Sequence, residues 1–306
     1  MKLLYEDPNA TDIKFRNIQK SLDWLEPPTL ARMHVEELYE ISKGVLDKNF
    51  SEEIKHNFSA RYAEMYIAGT LIDRLSLNVF HPSDEGLDFY IKDMDCWAEI
   101  VTSTDGVAGN SNTLTETELD IATDYPEEKV ILRLTNAFSS KADKARADIN
   151  KGLIKPDQPI IICISGGGMS ERVPMYTSGG YPQIAKAVLP IGDLMYWIDE
   201  KSRGITRREF KYRASVRKIT DSGEREIKTD FFLDERYSHV SAVMYSWANA
   251  WNPLSRKNWG QDFYIIHNPL ANNQLTPGSF HCGKEFMVSA NETSFKMSSV
   301  VDHENI

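Results

Sequence analysis

The chain has 306 residues, of which 41% are hydrophobic and 26% charged; that is enough apolar material for one large domain or two smaller ones, and too much for a disordered chain. The formal net charge of -10 argues against a surface uniformly coated in positive potential but leaves room for a local basic patch. Three cysteines, Cys96, Cys163 and Cys282, are odd in number and far apart, which excludes a disulfide framework and a CxxC-type zinc site.

The N-terminus "MKLLYEDPNATD" reaches acids by its sixth residue and lacks the apolar run of a signal peptide. No stretch approaches about 18 consecutive apolar residues, the length needed to cross a bilayer. A cytoplasmic protein with no membrane partner is the expectation. Residues 1–50 read as an N-terminal helical segment, in which "PPTLARMHVEELYEISKGVL" places Leu30, Met33, Leu38, Ile41 and Val45 at roughly helical spacing. In "NFSEEIKHNFSARYAEMYIAGTLIDRL", Ser51 as N-cap and Glu52 and Glu53 in the first turn predict a second helix. Phe58, Tyr62, Met65, Gly69 and Ile72 line one side of its apolar face, and Glu64 heads a neighbouring row of Ala68, Leu71 and Leu75.

Next comes "EGLDFYIKDMDCWAEIVTST", two apolar runs each holding a carboxylate, Asp88 and Glu99. If the runs form a hairpin around "KDMD", pairing Ile91 with Cys96 sets Asp88 directly across from Glu99. Opposed side chains have Cβ atoms about 4.5–5.5 Å apart, and like charges there destabilise. Two such acids need a shared proton or a cation between them. A plain buried ion pair of Glu99 with Lys141 or Arg133 is the simpler alternative. Residues 105–125 are rich in Gly, Asn and Thr and read as a mobile loop. "YPEEKVILRLTNAFSSKADKARADINKG" has helix start and stop signals in Pro126 and Gly152, with Ile131, Leu134, Phe138, Ala142, Ala145 and Ile149 as its apolar stripe. Lys141 lies on the margin of that stripe, as a snorkelling lysine would. "QPIIICIS" reads as a buried strand.

A helix bearing a Glu, a strand with "GLDF" (86–89), an apolar strand with an acid ("CWAEIV"), then a helix and a strand: this order, over residues 51–165, resembles the core of the PD-(D/E)XK, or restriction-endonuclease-like, nuclease superfamily. The resemblance implies a mixed central β-sheet flanked by helices, an α/β fold. It also implies divalent-ion ligation (Mg²⁺ or Mn²⁺) by Asp88 and Glu99 with help from Glu64, and a lysine that activates water. Two residues after Glu99, where the family usually has that lysine, stands Val101. Members exist in which it has moved to the following helix, which points to Lys141. The chemistry fits independently, because hard oxygen ligands suit Mg²⁺, the ion lowers the pKa of a bound water, and an ammonium offsets charge on phosphate.

Downstream, "SGGGMSER" (165–172) follows a strand and reads as a turn more than as a phosphate loop, since it lacks the GxxxxGK[ST] pattern. "YPQIAKAVLPIGDLMYWIDEK" reads as an amphipathic helix broken by Pro190. Residues 201–218 carry eight basic residues against one acid and lead through "DSGE" into one arm of a hairpin. Arg207, Arg208, Lys211 and Arg213, interleaved with Phe210 and Tyr212, form a candidate nucleic-acid surface on an insertion at about 166–228. "HVSAVMYSW" and "DFYIIHNPLANN" complete the sheet, with His267 more readily a hydrogen-bonded structural histidine than a functional one. The nuclease-like domain runs over 51–290, and residues 289–306 read as a frayed tail. The expected function is metal-dependent hydrolysis of nucleic acid, DNA ahead of RNA. The alternative is a catalytically silent nuclease-like module that binds nucleic acid or a protein partner. Oligomeric state is open.

Overall fold

The computed structural model describes residues 3–4, 7–20, 27–82, 85–115, 124–169, 181–290 and 295–302. Three helices come first: α1 (Ile13–Lys20), α2 (Pro27–Ser42) and the single turn α3 (Phe50–Glu53). α4 (Phe58–Gly69) then runs into a π-helical turn at Thr70–Arg74. The strands β1 (Val79–Phe80), β2 (Phe89–Ile91) and β3 (Cys96–Thr104) form an antiparallel meander. The long helix α5 (Glu127–Asn150) crosses to β4 (Ile160–Gly168), which lies parallel to β3.

After α6 (Gln183–Val188), two hairpins stand outside the main sheet: β5 (Ile191–Ile198) with β6 (Ile205–Tyr212), and β7 (Ser215–Thr220) with β8 (Gly223–Lys228). The chain returns through β9 (Ala242–Ser246), β10 (Tyr264–His267), β11 (Lys284–Ala290) and β12 (Phe295–Asp302). The result is a mixed eight-stranded sheet of order β1-β2-β3-β4-β9-β10-β11-β12.

Strand alternation divides the core between the two faces of this sheet. Ala98, Ile100, Ile161 and Cys163 pack with Phe15, Leu38 and Tyr66 of the N-terminal helices. Ile160, Ile162 and Ile164 pack with Leu134, Phe138 and Ala142 of α5 and with α6. The N-terminal segment is therefore one layer of the fold, and one acid links the starts of two of its helices. Asp12 Oδ1 accepts the backbone N–H groups of Lys14 and Phe15 at the start of α1, and its Oδ2 accepts that of Phe58 at the start of α4. Side-chain acceptors at helix starts satisfy donors that have no partner within the helix.

Several expectations give way. The helix expected from Ser51 breaks after α3, and its long part starts at Phe58, where Asp12 supplies the cap from a distant part of the chain. In α2 the face turned inward carries Ala31, Val35 and Leu38, leaving Leu30 59% and Met33 64% exposed. Beyond Pro190 the chain is a strand rather than a helix, consistent with the β-favouring aromatics Tyr196 and Trp197. The run at 166–168 extends β4, and its glycines are packing necessities. A Cβ at Gly166, Gly167 or Gly168 would collide with the Tyr245 hydroxyl, the Ala248 carbonyl or the Ser103 carbonyl; residues 170–172 of that motif lie outside the described residues. The part of the polar loop nearest β3 is pinned rather than free: Asn112 exchanges two hydrogen bonds with Ile219 of β7 and accepts from Arg133. Residues 116–123 lie outside the described residues. The tail expected to fray from 289 forms β12 over 295–302, paired antiparallel with β11.

Candidate functional site

The hairpin register is the expected one, with Phe89 opposite Ala98, Tyr90 opposite Trp97 and Ile91 opposite Cys96. Its turn closes through a 3₁₀ segment at Lys92–Met94 and Asp95, which sits at φ 44°. Aspartate tolerates this left-handed conformation better than most residues, and here its carboxylate accepts from the Tyr90 hydroxyl and the Gln158 amide. Asp88 lies one residue beyond the ladder. Its Oδ2 accepts the Ile100 N–H at 2.6 Å, so the side chain stands in for a strand partner beside Glu99. Among the described residues Asp88 Oδ1 has no partner.

Glu99 shares a face of β3 with Trp97 and Val101, turned toward α5, and is 0% exposed. The α5 helix answers it with two ammonium groups. Lys141 Nζ lies 2.5 Å from Oε1 and Lys144 Nζ 2.6 Å from Oε2, with side chains 25% and 39% exposed. Lys144 also donates to the Gly86 carbonyl at 2.6 Å, which ties α5 to the "GLDF" segment. Burial first, and then the Asp88 charge, push the Glu99 carboxyl above its ordinary range, while the two lysines pull the other way.

Glu64 projects from α4, the helix layer that packs on the sheet face opposite α5. It accepts from Arg61 Nη1 at 2.6 Å, and the same guanidinium holds Asp47 at 2.9 Å and also pairs with Glu53. Burial raises the Glu64 carboxyl to about 7; Arg61 opposes this rise and the Asp88 charge adds to it. Asp88 is thus electrostatically coupled to both other acids, one on each side of the sheet. Arg133, the other cation considered for Glu99, is engaged elsewhere and donates to the Asn112 carbonyl.

Lys144 was the missing member. Its signal was its position three residues after Lys141, on the same margin of α5, since residues three apart on a helix are neighbours. Among the described residues no three His, Cys, Asp or Glu side chains gather as a ready metal cage.

On the β5–β6 ribbon, Arg207, Arg208 and Lys211 are exposed. Arg207 lies over the Trp197 ring at 4.9 Å and Arg208 over Tyr196 at 5.7 Å, with Arg207 also paired to Glu209. Arg213 differs from the other three. Its guanidinium turns inward and donates to the carbonyls of Lys186 and Ile191, bracing the base of the ribbon. His267 is buried against Glu285, 2.5 Å away.

No described helix is long and apolar enough to cross a membrane. Comparison of the chain with protein-family models, with curated sequences and with solved structures finds no match.

Proposed function

We propose that this protein is a nuclease-like enzyme with a restriction-endonuclease-like core that hydrolyses phosphodiester bonds of nucleic acid, DNA ahead of RNA, with Mg²⁺ or Mn²⁺ as cofactor. The observation that carries this reading is the meeting of Lys141, from the helix after β3, with Glu99, beside Asp88. It is the arrangement expected if the lysine missing at Val101 had moved to α5.

The donor chemistry fits a divalent ion that keeps several of its own waters, since two carboxylates suffice for such a site. Asp88 would offer its open Oδ1 and Glu99 one oxygen, exchanged from a lysine, with Glu64 assisting through its charge. Once bound, the ion would supply a more acidic water and neutralise phosphate charge. The chain's own residues do the rest. Asp88 is held in place by the Ile100 N–H. Lys141, once released from Glu99, would place an ammonium beside the attacking water or the phosphate, and Lys144 would keep the remaining Glu99 oxygen oriented. Arg207, Arg208 and Lys211 would meet the phosphate backbone, with Trp197 and Tyr196 already stacked on two of them, while Arg213 holds the ribbon in place.

A second reading, a silent module that binds nucleic acid, is favoured by one specific observation: both Glu99 oxygens already carry an ammonium partner. The two readings separate in a cleavage assay on plasmid DNA and single-stranded RNA with Mg²⁺ or Mn²⁺. Hydrolysis by the wild type that falls at least about a hundredfold in Asp88→Asn and Lys141→Met supports the enzyme. Nucleic-acid binding without cleavage in either metal supports the module.

A further inference from the structure

At the end of β10 the sheet holds a buried His–Glu pair, which the proposed chemistry does not use. His267 lies opposite Ala242 of β9, on the sheet face of the N-terminal helices rather than that of α5. Glu285 of β11 lies beside it, with Oε1 2.5 Å from His267 Nε2 and Oε2 accepting the Gly278 N–H at 2.7 Å. His267, but not Glu285, lines a cavity of about 250 Å³ with Leu270, Leu275, Met287, Gln274 and Ala290 among its walls. His267 therefore borders both the acid and the cavity.

The pairing fixes the chemistry that the ring presents. In the tautomer that donates Nε2–H to Glu285, the lone pair of the ring lies on Nδ1. Among the described residues Nδ1 has no hydrogen-bond partner. The two buried polar walls beside it are committed: Ser241 Oγ donates to the Asn273 carbonyl and accepts from Ile160 N–H. The Asn268 amide donates to the carbonyls of Tyr237 and Val240 and accepts from Leu270 N–H. What remains is a hollow of mixed lining in which the His267 ring offers an oriented acceptor, with the exposed Gln274 amide on the rim. A dry cavity of about 150 Å³ is known to admit benzene, so this one has room for a substituted six-membered ring.

We propose that this cleft is a binding site for a small uncharged ligand with an apolar ring and one O–H or N–H donor, which donates to His267 Nδ1. The site is independent of the nuclease reading. The test is an NMR titration of the whole protein, following the His267 ring resonances, with phenol as probe and anisole, its methylated form without the donor, as control. Phenol is expected to shift those resonances saturably, and anisole to bind at least about tenfold more weakly, the cost of leaving a buried acceptor unmet. Ala290→Phe, which fills the exposed rim without touching the pair, is expected to abolish phenol binding. Gln274→Trp, from the exposed loop on the other rim, serves the same purpose should the strand not tolerate the larger side chain. Unmoved His267 resonances, equal binding of phenol and anisole, or undiminished binding in the rim variants would each overturn the proposal.

Discussion

Glu99 is an acid with no exposure at all, and its stability depends on two lysines that keep part of their surface in water. An ionised carboxylate without a partner in such a place costs several kcal/mol, while one remaining ammonium still compensates much of its charge. Lys141→Met and Lys144→Met are therefore expected to cost about 1 kcal/mol each at pH 8, and the double variant about 3–5 kcal/mol. Adding Glu99→Gln to the double variant should recover most of the loss. Denaturant unfolding of the wild type and the four variants measures this, and strict additivity of the two lysine variants would count against a shared partner. Glu64 offers a separate test through pH. Its folded value of about 7 lies above the ordinary 4.5, so between those values the folded chain holds a proton that the unfolded chain has released. Stability from this group is therefore lost as pH rises from about 4.5 through about 7, by roughly 2–3 kcal/mol. Glu64→Gln should gain stability relative to wild type across that window and hold the gain above it. A difference between the two proteins that does not vary with pH would contradict the assignment.

At the scale of elements, the meander and α5 were legible in the sequence for physical reasons. The short "KDMD" connection left little freedom for the hairpin register, and β-branched and aromatic residues on both sides of Glu99 marked a strand covered on both faces. α5 carried its own start, stop and stripe. What could not be read were features set by distant partners. Nothing near Phe58 indicated that Asp12 would cap α4, and the three-residue spacing of Lys141 and Lys144 put both on one margin of α5 without naming the acid they would share. Segments expected as a helix after Pro190 and as a frayed tail after 289 became strands because each found a neighbour to pair with, β6 and β11; tertiary pairing of this kind overrides local preference. Arg213 looked like its neighbours in sequence, and the carbonyls of Lys186 and Ile191, which hold it inward, come from an earlier part of the chain. The ribbon's outward cations carry the prediction at this scale. Replacing Arg207, Arg208 and Lys211 together with alanine should weaken DNA binding and flatten its salt dependence, because fewer counterions are released. An unchanged slope of affinity against salt would place the binding surface elsewhere on the molecule.

For the whole molecule, the sheet gathers carboxylates from three elements around β3 and sets lysines against only one of them. Asp88, coupled to Glu99 on the α5 side and to Glu64 on the α4 side, is the acid through which added positive charge would be felt most widely. On a chain of net charge -10, nonspecific cation binding is a real competitor, so the decisive comparison is between proteins that differ at this one acid and share the rest of their surface. Asp88→Asn suits the purpose, because the amide oxygen can still accept the Ile100 N–H. The measurement is thermal unfolding of wild type and Asp88→Asn with and without manganese. A metal bound to the folded state alone stabilises by mass action, about 2.7 kcal/mol at a hundredfold excess over its dissociation constant. A clear rise in the wild-type melting temperature with manganese, largely absent in Asp88→Asn, is the predicted result; equal melting of the wild type with and without the metal, or an equal rise in both proteins, would contradict a metal-dependent nuclease centred on Asp88 and Glu99.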